Sequence, residues 1–285
     1  MKLGVSSYSL VKALRSGEMD ILGVIDWIAD QGGEHVEIVP IGFSLQERPE
    51  LADEIRAKAE SRGIDVSNYA IGANFNTDSE DAYEREIERV LREVDMAARL
   101  GVKRMRHDVA SSTDLSIRSF NLALGRLAEA CRRIADYAAQ YDIVTSVENH
   151  GYFIQASDRV QALVHAVGRD NFRTTLDVGN FLCVDEDPVA AVQNNIPLAS
   201  MVHVKDFYVR PAARNPGEGW FKTSHGNYLR GAIVGHGDID IREALRTVKS
   251  AGYDGYISLE FEGLEECRSG TKIGLDNVRR LWDEV

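Results

Sequence analysis

Ile143-Val144-Thr145-Ser146-Val147-Glu148 is a short β-branched run that closes on a carboxylate. Three further runs share its form: Phe172-Arg173-Thr174-Thr175-Leu176-Asp177, Ala199-Ser200-Met201-Val202-His203 and Tyr256-Ile257-Ser258-Leu259-Glu260. Such stretches have the pattern of buried strands, and each ends in a potential metal ligand. Strand ends converging on one point describe the C-terminal mouth of a parallel barrel.

Four more β-rich runs precede these: Leu3 to Tyr8, His35 to Val39, Asp65 to Ile71 and Lys103 to Val109. Helical patterns separate the eight, over Ile21 to Asp30, Leu51 to Arg62, Asp81 to Leu100, Phe120 to Tyr141, Ser157 to Val167, Pro188 to Asn194, Ile241 to Ala251 and Gly274 to Trp282. Most carry apolar residues at three- and four-residue spacing. Gly63, Gly101, Gly168 and Gly252 stand where a helix end needs a left-handed residue. Eight strand-helix units with no Gly-x-Gly-x-x-Gly turn favour an α/β fold closed as a (β/α)8 TIM barrel over an open doubly wound sheet. The 285 residues fit one such domain.

From Asp206 to Gly237 the rhythm breaks, in a stretch rich in glycine and proline that also holds Trp220, Phe221 and Tyr228. Aperiodic connections of this length are functional more often than not, and residues 206–237 read as a lid over the mouth. The 44% hydrophobic and 27% charged composition is that of a soluble globular chain, with no apolar stretch approaching the roughly 20 residues that span a bilayer. The N-terminus has no long apolar segment with a cleavage site, so the cytoplasm is the expected location. Cys131, Cys183 and Cys267 lack a Cys-x-x-Cys pair and are expected as reduced, mostly buried thiols. A formal charge of -12 without a basic run disfavours nucleic acid as a partner.

Residues two apart on a strand share a face. Ser146 and His150 therefore accompany Glu148, Met201 and Lys205 accompany His203, and Ser258 and Glu262 accompany Glu260, while Val147, Val202, Val204 and Leu259 face the other way. Glu148, Asp177, His203 and Glu260 form an oxygen-rich set suited to Mn²⁺, with Mg²⁺, Co²⁺ or Zn²⁺ as alternatives, and with positions left for substrate oxygens. Such an ion polarises a carbonyl while a nearby base removes the α-proton. Lys205 is placed to neutralise developing negative charge, and His107, in Arg106-His107-Asp108, is a candidate proton-transfer group.

Together with Gly4-Val5-Ser6, Val36-Glu37, Val147-Glu148-Asn149-His150-Gly151, Leu176-Asp177-Val178-Gly179-Asn180 and Val202-His203-Val204-Lys205-Asp206, these residues resemble the xylose isomerase-like barrels, the sugar phosphate isomerase/epimerase family. The resemblance spans essentially the whole chain and implies metal ligands at Glu148, Asp177, His203 and Glu260, with the two glutamates also serving as bases. Asn215 to Phe221, Gly226 to Asp238, Met105 to Asp108 and Leu259 to Gly263 look like the large subunits of bacterial C-glycoside deglycosidases. That likeness implies β-elimination from a 3-keto glycoside, Mn²⁺, a small β-rich partner subunit and an oligomer. Glu37, His150, Trp220, Phe221 and His236 are then expected substrate contacts, the aromatic residues stacking on an aglycone. A ketose 3-epimerase or sugar isomerase using the same metal site is the alternative. An endonuclease IV-like nuclease needs further histidines, and Asn180 stands where that enzyme has one; a non-catalytic sugar-binding barrel would not need an intact ligand set.

Overall fold

Strand β1 (Lys2–Ser6) begins a parallel sheet that continues through β2 (His35–Ile38), β3 (Asp65–Ile71), β4 (Arg104–His107), β5 (Val144–Glu148), β6 (Phe172–Asp177) and β7 (Ala199–Val204). The chain then makes a separate three-stranded antiparallel sheet from β8 (Asp206–Arg210), β9 (Phe221–Lys222) and β10 (Tyr228–Ala232), in the order β8-β10-β9. It returns to the barrel as β11 (Tyr256–Leu259), which pairs with β7 and with β1 and closes the ring. The computed structural model describes residues 1–285, and its eight parallel strands close into a (β/α)8 TIM barrel.

The outer ring is built from α1 (Val11–Ser16), α2 (Ile21–Asp30), α3 (Glu50–Arg62), α4 (Glu80–Leu100), α5 (Ile117–Ala138), α6 (Ser157–Val167), α7 (Pro188–Asn195), α8 (Ile241–Ser250) and α9 (Cys267–Glu284). Local chemistry sets their ends. Asp20 and Ser79 accept the backbone N–H groups of Gly23 and Ala82 at 2.7 and 3.2 Å, satisfying donors that a first helical turn leaves open. Gly101 ends α4 at φ 79°, a conformation that costs glycine nothing. On α4, Tyr83, Ile87, Val90, Val94, Ala97 and Leu100 recur at helical spacing and are all buried. They pack against β3 and β4; elsewhere round the ring the outward-facing Val147, Val202, Val204 and Leu259 are at most 1% exposed.

The structure adds to the sequence reading in three places. Helix α1 fills part of the β1–α2 connection, too short for a periodic signal. Helix α9 starts seven residues before Gly274, because Glu266 caps it by accepting the N–H groups of Arg268 and Ser269. Its Gly270 is there for packing: a Cβ would lie 2.4 Å from the Phe261 ring. The 206–237 stretch, expected to be an irregular lid, carries β8, β9 and β10; alternation over Asp206-Phe207-Tyr208-Val209-Arg210 is the strand signal that the surrounding glycines and prolines hide. All three cysteines are free and buried, and no helix is long and apolar enough to cross a membrane.

Candidate active site

Glu148, Asp177 and His203 come at or near the C-terminal ends of β5, β6 and β7, and Glu260 follows β11 by one residue. Each is buried although each is polar, which costs free energy unless a partner compensates. One ligand atom from each lies within 4.8 Å of the other three. Oxygen and nitrogen donors about 2.1 Å from a common ion stand no more than about 4.2 Å apart, so only a small contraction would close the set.

The hydrogen bonds fix which atoms are free. Asp177 Oδ1 accepts the N–H groups of Gly179 and Asn180 at 2.7 and 2.8 Å, while its Oδ2 is buried without a hydrogen-bond partner. His203 Nε2 lies 2.7 Å from Glu37 Oε2, a close charge contact even though the N–H axis is poorly aligned, and Nδ1 has no hydrogen-bond partner. Nδ1 faces the carboxylates, at 3.6 Å from Glu260, 3.9 Å from Glu148 and 3.9 Å from Asp177. A histidine that turns one ring nitrogen to a carboxylate and the other to an acidic cluster has the arrangement of a metal ligand. These orphaned atoms fit a divalent cation.

Electrostatics points the same way. Burial opposes charge on His203, but Glu37 and Glu260 outweigh it and raise its pKa to about 10, so a proton supplies positive charge where an ion would otherwise do so. Burial likewise pushes Asp177 up, to about 6. On Glu148 burial is outweighed by Arg106, and its carboxyl is held near 2. Arg106 Nη2 sits 2.6 Å from Glu148 Oε2 and 3.0 Å from Asp108. Lys205 is buried with its ammonium 2.9 Å from Glu260, 3.5 Å from Glu262 and 3.6 Å from Asp177. Asn180 bridges the two sides: its Nδ2 donates to Glu148 Oε1 at 2.9 Å, and its Oδ1 accepts from Lys205 at 3.3 Å.

A cavity of about 270 Å³ opens above these groups, lined by Tyr8, Val39, Ile41 and Ala70 and by polar residues that include Glu37, His150, Lys205 and Glu262. His150 holds Asp108 Oδ1 through Nδ1 at 3.2 Å. Glu37 lines the cavity, and its carboxylate also engages His203 and accepts from Asn68 Nδ2 at 3.2 Å. His107 is outside the cavity. Its parity puts Arg106 on the inner face instead, and His107 is fully buried with Nδ1 on the Asp108 carbonyl at 2.8 Å and an edge contact to Phe75.

Trp220, Phe221 and His236 do not line the cavity either. The Trp220 ring lies 5.4 Å from the Arg210 guanidinium and 5.3 Å from that of Arg230, Phe221 packs edge-on against Phe207, and His236 is exposed. The small sheet leans on the loops that follow β5 and β6, with Tyr152 Oη donating to the Lys222 carbonyl and Ser224 N to that of Cys183. It stands at the rim of the mouth, and no residue of 206–237 lines the cavity. Arg106, Tyr8 and Asn180 had no assigned role in the sequence reading. Arg106 was legible in principle, one residue before His107 and on the opposite face of the strand.

Residues 25–281 match the family model described as a xylose isomerase-like TIM barrel. An inosose dehydratase of Lacticaseibacillus casei is 24% identical over 144 residues, 48% of this chain and 46% of that protein; the chain spans about half the length of the curated relatives it matches. Among solved structures, the IOLI protein with a bound zinc atom superimposes with a TM-score of 0.78 at 16% identity, over 100% of this chain and 99% of that one. The 3-keto-D-glucoside 4-epimerase YcjR from E. coli does so with a TM-score of 0.74 at 15% identity, over 98% and 99%. With the family model covering most of its length, the chain belongs to the xylose isomerase-like TIM barrel family.

Proposed function

We propose that the protein is a divalent-metal-dependent enzyme that enolises a keto-sugar and, from a 3-keto glycoside, expels the group at C1 by β-elimination. The observation that carries the enolisation is the set of four buried ligand atoms beside a polar cavity, two of them with no other partner. When bound there, an ion such as Mn²⁺ supplies Lewis acidity to a substrate oxygen. Glu148 and Glu260 are the carboxylates placed to take the proton from C2, which the 3-carbonyl acidifies. Lys205 and Arg106, each already against one of these glutamates, offset the negative charge that develops on the C3 oxygen. As a glutamate takes the C2 proton, the C–H electron pair forms the C2–C3 double bond of the enolate; when the C3 carbonyl re-forms, that pair becomes the C1–C2 double bond and the C1 bond to the aglycone breaks with its electrons. The aglycone leaves with a proton.

The elimination outcome draws on the motifs shared with C-glycoside deglycosidases. The epimerase outcome has one observation in its favour, the position of Trp220 between two arginines and away from the cavity. Incubation with an aryl 3-keto glucoside and with free ketoses, followed by NMR in deuterated water, separates the two. Elimination predicts deuterium at C2 and a released phenol; exchange at C3 of a ketose with no release from any 3-keto glycoside would move the assignment to the epimerase. Absence of release with C2 exchange intact is the result expected if a partner subunit completes the site.

A further inference from the structure

The cations of the mouth are already committed. Arg106 spends its guanidinium on Glu148, Asp108 and the Ile71 carbonyl. Lys205 is ringed by Glu260, Glu262 and Asp177, all within 3.6 Å. They are the only Lys or Arg residues lining the cavity. Against them stand six carboxylates, Glu37, Asp108, Glu148, Asp177, Glu260 and Glu262, so even a divalent ion leaves the site short of positive charge. The remaining apolar lining, Tyr8, Val39, Ile41 and Ala70, brings no cation. A phosphate or carboxylate on a substrate would meet no uncommitted Lys or Arg here, only His150, which already holds Asp108, and would pay desolvation beside like charge.

Four of these carboxylates, Glu37, Glu148, Glu260 and Glu262, line the cavity, and Glu262 differs from the other three. It is not part of the four-residue ligand set, it does not support His203, and its side chain is 24% exposed against 9% for Glu260. Strand parity carries it up the same face as Ser258 and Glu260, to the lip of the cavity. A close approach of two backbones fixes it there: a Cβ on Gly231 would lie 2.5 Å from the Glu262 carbonyl oxygen. Its carboxylate offers acceptors to sugar hydroxyls and repulsion to anions.

We infer that the site selects uncharged sugars over phosphorylated or carboxylated ones, and that Glu262 is the residue that enforces the choice. This rests on the keto-sugar reading above and narrows its substrate class. The test is calorimetric or NMR titration of the metal-loaded protein with three probes that lack the 3-carbonyl and so do not turn over: D-glucose, D-glucose 6-phosphate and D-glucuronate. Glucose should bind about tenfold or more tightly than either anion, and Glu262→Gln should narrow that gap several-fold with metal content unchanged. Equal or tighter binding of an anion by the wild type, binding of none of the three, or a gap that survives Glu262→Gln in folded, metal-replete protein would overturn the inference. The wild-type comparison decides alone if the variant does not fold. A preference for glucose without C2 exchange on a 3-keto glucoside would overturn enolisation and leave the charge rule standing; exchange without the preference would do the reverse.

Discussion

Glu37 holds His203 by the ring nitrogen that faces away from the acidic cluster. A partner of this kind sets the tautomer and orientation of a ligand and is typically worth 10–100-fold in metal affinity. Glu37→Gln should therefore weaken Mn²⁺ binding by about that factor in a calorimetric titration, and a change of less than about twofold would remove Glu37 from this role. His107 has a different consequence. Burial depresses its pKa to about 4 from 6.5, so its neutral form contributes stability that is complete above pH 6.5 and is lost as pH falls toward 4. At about 1.4 kcal/mol per unit the contribution is on the order of 3 kcal/mol. The pH dependence of wild-type stability minus that of His107→Gln isolates this from Asp177 and Asp206, whose raised pKa values act in the opposite sense across the same window. Identical slopes for the two proteins between pH 6.5 and 4 would contradict it. The four candidate ligands are legible in the sequence because each closes a short apolar run. The inward turn of Arg106 rather than His107 is obscured by the polar triplet Arg106-His107-Asp108, and only the flanking Met105 and Val109, which share the parity of His107 and are buried, carry it.

At the level of elements, the barrel strands were legible because period-two alternation survives in short parallel strands whose outer face is aliphatic. The small sheet was not: β9 has two residues, and its neighbours are separated by turns of glycine, proline and asparagine. Its seat depends on Gly231. Placing a Cβ 2.5 Å from the Glu262 carbonyl in Gly231→Ala must shift either the sheet or the β11 loop. We expect a loss of about 1–3 kcal/mol in denaturant unfolding, as for other overpacked sites, and an unperturbed midpoint would show that the two backbones are not locked together. Trp220 gives the sheet its second test. Its contacts with Arg210 and Arg230 are worth about 0.5–1 kcal/mol each at an exposed site. If an aromatic aglycone also rests against this rim, Trp220→Ala weakens binding of an aryl 3-keto glucoside more than that of a free ketose; equal effects on both would leave Trp220 a purely structural residue.

Across the whole molecule, the eight-strand closure brings residues from positions 37 to 262 to one mouth, and the cluster they form is one the fold can hold only with compensating positive charge. Removal of the ion returns that task to a proton on His203. The metal-loaded protein should accordingly unfold at a higher temperature than the chelated one, by an amount that grows with free metal as mass action requires. The central claim is that this centre performs the enolisation, and its most direct measurement is the rate of deuterium incorporation at C2 of a 3-keto glucoside, followed by NMR as Mn²⁺ is added back to chelated protein. The rate should rise in proportion to metal bound and stop at one ion per chain, with Glu148→Gln and Glu260→Gln inactive at the same occupancy. Full exchange by metal-free protein, or none at one bound ion per chain, would contradict it.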